Sequence, residues 1–152
     1  KDIGFLFVGR GSYAQQLISE TKSRGLDNTL CYDEIDPSEI PGLYEQCHVG
    51  LVVLDPRHKT HNLPGKFLSY MQSGLPVLAR INPGNDLEKL IASKQIGRVC
   101  TNNSVDTLKC LAEDLLEDIS VDFGMKSRCL ALSKKMFSPE IAVNKIVKAL
   151  TK

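Results

Sequence analysis

Short, continuous apolar runs alternate along this chain with segments of helical periodicity. The run from Ile3 to Val8 is typical of a central parallel strand that is covered on both faces. Val49 to Leu54 and Val77 to Ala79 are similar runs, and shorter strands are predicted at Thr29 to Tyr32 and Gly97 to Cys100. Because strands that alternate with helices pair in parallel through crossover connections, the sequence predicts an α/β fold built on a doubly wound parallel sheet.

Helix start and stop signals fill the segments between the strands. Ser12, Asp86 and Ser104 each precede a segment of helical periodicity and can cap its first turn. The predicted helices span approximately residues 12–24, 37–44, 64–74, 86–91, 104–117, 123–136 and 138–150. Since the last three follow the final strand directly, the sheet is predicted to be closed by helices at its C-terminal end.

Composition excludes several classes of protein. The 152 residues are 42% hydrophobic and 24% charged with a net charge of +1, so we expect one globular domain that does not bind nucleic acid. No apolar run approaches the length of a membrane span. The five cysteines are odd in number and include no Cys-x-x-Cys pair, which argues against disulfides and a zinc site and favours a reducing cytosol.

The segment from Leu63 to Arg80 carries the most specific chemical signal. It predicts a helix that begins near Pro64, packs Phe67 toward a core and ends before a buried strand. Lys66 lies in the first turn, where the helix dipole disfavours a cation unless an anion binds there too. The free N–H groups of such a turn and one ammonium group would bind a phosphate. A solvated surface lysine is the alternative.

Two other patterns are weaker. Gly9-x-Gly11-x-x-Ala14, followed by Asp33 after the next strand, half-matches a dinucleotide-binding fingerprint, but the bulky Arg10 between the glycines favours a plain tight turn.

Asp55, His58 and His61 are metal ligands by type, yet their spacing is not helical and no further histidine or cysteine completes a set. With Ser69 they form no nucleophile–base pair either. The sequence therefore predicts a binding site without a metal ion and without a complete set of catalytic residues.

The order of segments resembles the C-terminal domain of the GT-B glycosyltransferases, in particular glycosyltransferase family 4. Phe5 to Gly11 resembles the strand and Val-Gly-x-Gly turn of that family, and Tyr70 to Ala79 resembles its Ala-Met-Ala-x-Gly-x-Pro-Val-Val-Ala segment. Pro64 to Phe67 resembles a Pro-Ser-Lys pattern associated with bacterial surface-polysaccharide transferases. The resemblance implies a Rossmann-like domain that binds a nucleotide sugar.

The resemblance also implies a set of donor-binding residues. In that family the diphosphate lies on the helix start, here Gly65, Lys66 and Phe67, while the base lies near the loop that contains Glu34 and Ile35. Further predicted contacts are His61, Asn62 and Ser69 to the donor, and Gly84 and Asn85 to the sugar. His61 and Ser69 stand where the family commonly has two glutamates, so the resemblance does not imply a carboxylate that anchors the ribose here.

The implied function is the donor-binding half of a retaining glycosyltransferase of the hexosyltransferase type. It would act in the synthesis of bacterial surface polysaccharide, such as the O-antigen of lipopolysaccharide or a capsule. The donor is expected to be a UDP-linked sugar, with no cofactor, and the acceptor a lipid-linked glycan held by a missing N-terminal domain. Residues 1–152 are thus predicted to be one domain of a longer protein. The first strand and helix of that domain are expected to be missing, and the isolated chain is expected to be inactive. The location is expected to be cytoplasmic, and the full-length protein could lie peripherally at the inner face of the bacterial inner membrane.

Two other functions stay open. A GT-B-fold UDP-sugar 2-epimerase needs its own carboxylates and histidines in the cleft, and a non-catalytic Rossmann nucleotide-binding module would bind a nucleotide irrespective of any sugar. Comparing a nucleoside diphosphate with its sugar-bearing form separates these functions. The identity of the sugar, the base, the acceptor and the oligomeric state does not follow from the sequence.

Overall fold

A computed structural model describes residues 3–55, 57 and 63–150, apart from the side chains of residues 139, 140, 142 and 145. The chain divides into two compact units, Lys1–Gly42 and Leu43–Lys152. Both units contain parallel strands joined through helices, so the predicted α/β class with a Rossmann-like arrangement is confirmed.

The first unit is a strand, a helix and a strand. β1 (Phe5–Val8) pairs in parallel with β2 (Thr29–Tyr32), and α1 (Ala14–Ser23) connects them. The prediction that β1 is covered on both faces is wrong, because Phe5, Leu6 and Val8 are 39%, 38% and 36% exposed. In the described residues β1 has a single neighbouring strand, and an apolar run does not report how many neighbours a strand has.

The start of α1 also differs from the prediction. Tyr13 is its N-cap residue and no side chain accepts a hydrogen bond from the first turn, so Ser12 is not the cap. The turn before it is tight, because Gly9 has φ +136° and donates its N–H to the Tyr32 carbonyl oxygen at 3.1 Å. Few residues other than glycine adopt such a φ, so the conformation of this turn explains the glycine at position 9 without a bound ligand.

The second unit contains a three-stranded parallel sheet. Its elements, after the short helix α2 (Ile40–Glu45) at the unit boundary, are β3 (Gly50–Val53), α3 (Gly65–Gln72), β4 (Val77–Arg80), α4 (Asp86–Lys94), β5 (Gly97–Cys100), α5 (Val105–Val121), α6 (Met125–Phe137) and α7 (Pro139–Leu150). The strand order is β3-β4-β5, which makes β4 the central strand. The predicted helices are thus present, with α5 continuing to Val121 rather than ending near Glu117.

Helices cover both faces of this sheet. Val77 and Ala79 of β4 belong to one core cluster with Phe67 of α3 and Leu87 of α4, while Leu78 belongs to a second cluster with residues of α5 and α6. Because successive side chains of a strand point to opposite faces, β4 is buried on both sides. The sheet is therefore doubly wound.

One glycine permits the close pairing of β4 and β5. Gly97 has φ +156°, and a Cβ atom at this position would lie 1.9 Å from the carbonyl oxygen of Val77. Gly97 is the register partner of Val77, and the Val77 N–H donates to the adjacent Ile96 carbonyl oxygen at 3.0 Å. A side chain at residue 97 would separate the two strands.

Candidate anion-binding site

Three helices begin at the carboxyl edge of the β3-β4-β5 sheet, because a helix that follows a parallel strand starts where the strand ends. Two of these helix starts are satisfied by the protein itself. In α4 the side-chain oxygen of Asn85 accepts a hydrogen bond from the Leu87 N–H at 2.9 Å, and in α5 Ser104 Oγ accepts from the Thr107 N–H at 3.2 Å. Both helices also carry acidic residues in the first turn. These carboxylates offset the positive end of each helix dipole.

The start of α3 lacks both features. Its N-cap residue is Pro64, which makes no side-chain cap hydrogen bond, and its first turn contains no acidic residue but the exposed Lys66. Within the described residues the N–H groups of Gly65 and Lys66 have no acceptor, whereas the Phe67 N–H donates to the Pro64 carbonyl oxygen at 3.0 Å. A Cβ at Gly65 would meet no atom within 4 Å. As far as the described residues go, the α3 start therefore has free N–H donors, space beside Gly65 and a positive charge.

Two further predicted donor-binding residues lie on α3 but differ in access. The side chain of Phe67 is fully buried, and its ring makes an edge-to-face contact with Phe137 at a centroid distance of 6.3 Å. Ser69, two residues further along the helix, is partly buried. A ligand at the helix start could meet only the backbone of Phe67, and that N–H is already in use.

The turn after β4 contains the two residues predicted to approach the sugar. Gly84 is exposed and has φ +79°. Asn85 is only 5% exposed, and its side chain caps α4, so the predicted cap at Asp86 is wrong by one residue. The Asn85 side chain therefore has a structural role. Its contact with a sugar stays a prediction.

Glu34 and Ile35, predicted near the base, belong to the first unit. Glu34 is exposed and pairs with Arg10 at 2.7 Å, and Ile35 is partly buried. A cavity of ≈ 110 Å³ lies beside the Gly9 turn. It is lined by Phe7, Val8, Gly9, Ala14, Leu17, Ile18, Cys31, Tyr32 and Asp33. Ligand pockets have about 300–1,000 Å³, so this cavity is smaller than a typical ligand pocket.

Three predicted positions cannot be placed. His61 and Asn62, both predicted donor contacts, and His58, a metal ligand by type, lie outside the described residues. Among the residues that are described, no group of three or more His, Cys, Asp or Glu side chains could hold a metal ion.

Side-chain interactions that the sequence did not suggest join the strand ends at the same edge. Arg57 donates two hydrogen bonds to the Asp55 carboxylate, at 2.9 and 2.6 Å, which raises the pKa of the guanidinium above its usual value. The Asn82 amide donates to the Asp55 carbonyl oxygen at 3.2 Å. Arg80, at the end of β4, donates to the Leu54 carbonyl oxygen at 2.8 Å and to the Asn103 side chain. The only sequence signal for Arg80 was its position at a strand end.

The described part of this edge can bind an anion but offers no acid–base pair. Lys66 and Arg80 carry positive charges, while Asp55 is already paired with Arg57. Burial raises the pKa of the Tyr70 hydroxyl in the last turn of α3 to about 12, and that group donates to the Leu51 carbonyl oxygen at 3.3 Å. Tyr70 thus stays protonated and supports the fold rather than a proton transfer.

A doubly wound parallel sheet with free N–H groups and positive charge at its carboxyl edge is typical of α/β domains that bind nucleotides or phosphates. Comparison with protein families assigns the chain within this class, because residues 1–128 match the family described as group 1 glycosyl transferases. The match covers most of the chain, so the chain belongs to this family and is a glycosyltransferase domain of the GT-B type. No curated protein sequence matches it. Among the helices of the described residues, none has the length and apolar character needed to cross a membrane.

Proposed function

We propose that the second unit binds the diphosphate of a nucleotide-sugar donor at the start of α3. One observation carries this proposal. Of the three helices that begin at the carboxyl edge, α4 and α5 have a capping side chain and an acidic first turn, whereas α3 has neither and carries Lys66 instead. An anion would accept hydrogen bonds from the N–H groups of Gly65 and Lys66 and would neutralise the lysine.

The same arrangement would assist the transfer step. Negative charge builds on the diphosphate as the bond to the sugar breaks, and a fixed ammonium group and helix dipole stabilise that charge without proton transfer. This role suits a leaving group that departs as a nucleoside diphosphate. A hydrogen bond between charged groups contributes about 1.5–3 kcal/mol.

The segment from Pro64 to Phe67 resembles the Pro-Ser-Lys pattern of bacterial surface-polysaccharide transferases, and this resemblance supports a more specific proposal. We propose membership of glycosyltransferase family 4, a retaining transfer and a UDP-linked donor. The product would be bacterial surface polysaccharide built on a lipid-linked acceptor. An acceptor domain elsewhere in a longer protein would supply the second half of the cleft, and the isolated chain would not catalyse transfer.

Titration calorimetry tests the donor site directly. The chain is titrated with UDP, a UDP-sugar and NAD, and the same titrations are repeated with Lys66→Gln. We expect the variant to lose about 10-fold or more in affinity for UDP, because a charged contact is lost. Lys94→Gln is the matched control, since Lys94 is exposed in the last turn of α4, at the opposite end of the helix from the carboxyl edge. UDP binding that is equal in wild type and Lys66→Gln would exclude the α3 start, and binding of NAD alone would refute the donor-site proposal.

A further inference from the structure

Arg80 differs from every other arginine of the chain. The sequence contains six arginines, all within the described residues, and five of them form ion pairs. The pairs are Arg10 with Glu34, Arg24 with Glu20, Arg57 with Asp55, Arg98 with Asp118 and Arg128 with Asp122. Arg80 has no described carboxylate within 4.0 Å, although its side chain is partly buried. Its charge is therefore not neutralised by the described protein.

Both acceptors that Arg80 does have are neutral. Its guanidinium donates to the Leu54 carbonyl oxygen at 2.8 Å and to the side-chain oxygen of Asn103. A guanidinium has five N–H donors in a planar fork, so donors remain for a further partner. The two contacts join the ends of β3 and β4 to the loop after β5, a task for which an uncharged donor would suffice. They leave the positive charge itself without a function.

The position of Arg80 indicates a role for its positive charge in ligand binding. Arg80 ends the central strand β4, at the edge where α3, α4 and α5 begin with the positive ends of their dipoles. A partly desolvated cation is costly unless an anion compensates for it, and Asp55, the carboxylate that ends the neighbouring strand, is paired with Arg57. Ligands of parallel α/β sheets bind at this edge. The missing counter-charge is thus best supplied by a ligand.

We infer that Arg80 is a second anion-binding residue of the donor site, which binds an oxyanion group of the substrate independently of Lys66. The inference rests on the proposed function and extends it. Two groups share the required chemistry, namely a phosphate of the diphosphate and a carboxylate on the transferred sugar, and arginine binds either with two parallel hydrogen bonds. Arg80 holds the substrate and takes no part in bond making.

The test compares Arg80→Gln and Arg80→Lys with wild type, Lys66→Gln and the control Lys94→Gln. Dissociation constants are measured by calorimetry at one fixed salt concentration for inorganic pyrophosphate, UDP, UDP-glucose and UDP-glucuronate. Thermal unfolding without ligand is recorded for each variant. Glutamine is uncharged, shorter than arginine and has one amide nitrogen, so the thermal unfolding of Arg80→Gln shows whether the links to Leu54 and Asn103 are weakened as well.

If Arg80 binds the diphosphate, Arg80→Gln lowers the affinity for pyrophosphate and for UDP about 10-fold to 100-fold, and Arg80→Lys recovers part of that affinity. If Arg80 binds a sugar carboxylate, Arg80→Gln keeps the affinity for pyrophosphate and UDP but loses the preference for UDP-glucuronate over UDP-glucose. A lower melting temperature together with unchanged affinity for all four ligands would overturn the inference and leave Arg80 as a structural link.

The two proposals can fail separately. An effect of Lys66→Gln without any effect of Arg80→Gln would overturn the role of Arg80 alone. An effect of Arg80→Gln without any effect of Lys66→Gln would move the anion site away from the α3 start and keep the Arg80 inference. No binding of any of the four ligands by wild type would overturn both.

Discussion

Replacing Gly97 with alanine should destabilise the second unit strongly, because the added methyl group would lie between two paired strands. The new Cβ would lie 1.9 Å from the carbonyl oxygen of Val77 and 2.8 Å from its carbonyl carbon, both of them backbone atoms of the central strand. The φ of +156° adds backbone strain of about 1–3 kcal/mol for a residue with a side chain. Overpacking adds about 1–3 kcal/mol, because Val77 is fully buried and cannot move aside. The expected loss in the free energy of unfolding is therefore about 2–6 kcal/mol.

Urea denaturation followed by circular dichroism measures this loss, and calorimetry should show a melting temperature lower by about 5–20 °C. Gly65→Ala is the matched control, because its Cβ would meet no atom within 4 Å and its φ is not positive. That variant should change the free energy of unfolding by at most about 1 kcal/mol. A loss below about 1 kcal/mol for Gly97→Ala would refute the close approach of β4 and β5 at this residue.

Two further predictions concern the cap of α4 and the buried thiol of α6. Asn85→Ala should lower the free energy of unfolding by about 0.5–2 kcal/mol, measured in urea, while Asn85→Asp keeps a capping oxygen and should lose less; equal losses would argue against the cap. Burial raises the pKa of the Cys129 thiol from 9.0 to about 12, so the unfolded chain loses this proton at a lower pH than the folded protein. The contribution of Cys129 to the free energy of unfolding is therefore fully present below about pH 9 and falls as the pH rises toward 12. Cys129→Ala should show a weaker fall of the urea midpoint between about pH 8 and 10.5, and an identical fall would exclude Cys129 as the cause.

The fold was largely predictable because local signals and burial agree along the second unit. The Ser104 cap, the core position Phe67 of α3 and the buried strand from Val77 are confirmed. The cap of α4 was misplaced because Asn85 and Asp86 are both good capping residues, and only the backbone after the Gly84 turn decides between them. The exposure of β1 could not be predicted, since it depends on neighbouring strands and not on the composition of β1.

The candidate site was predictable where it depends on one segment. Lys66 in the first turn of a helix is visible in the sequence, because the conflict between its charge and the helix dipole is local. Arg80 was not visible as a site residue. Its lack of a counter-charge depends on which arginine forms an ion pair with which carboxylate in the folded protein. Arg57, for example, pairs with Asp55. The partial match to a dinucleotide fingerprint at Gly9 coincides with a turn of positive φ, and the absence of a dinucleotide there stays a prediction.

The start of α3 carries a stability cost that the chain could easily have avoided. A capping residue in place of Pro64, or an acidic residue in place of Lys66, would stabilise the free protein by about 1 kcal/mol in the way that Asn85 and Ser104 stabilise the neighbouring helices. The same changes would fill or repel the position that an anion would occupy. In the proposed site, a bound substrate would return this stability to the domain, because a ligand that binds only the folded state stabilises it.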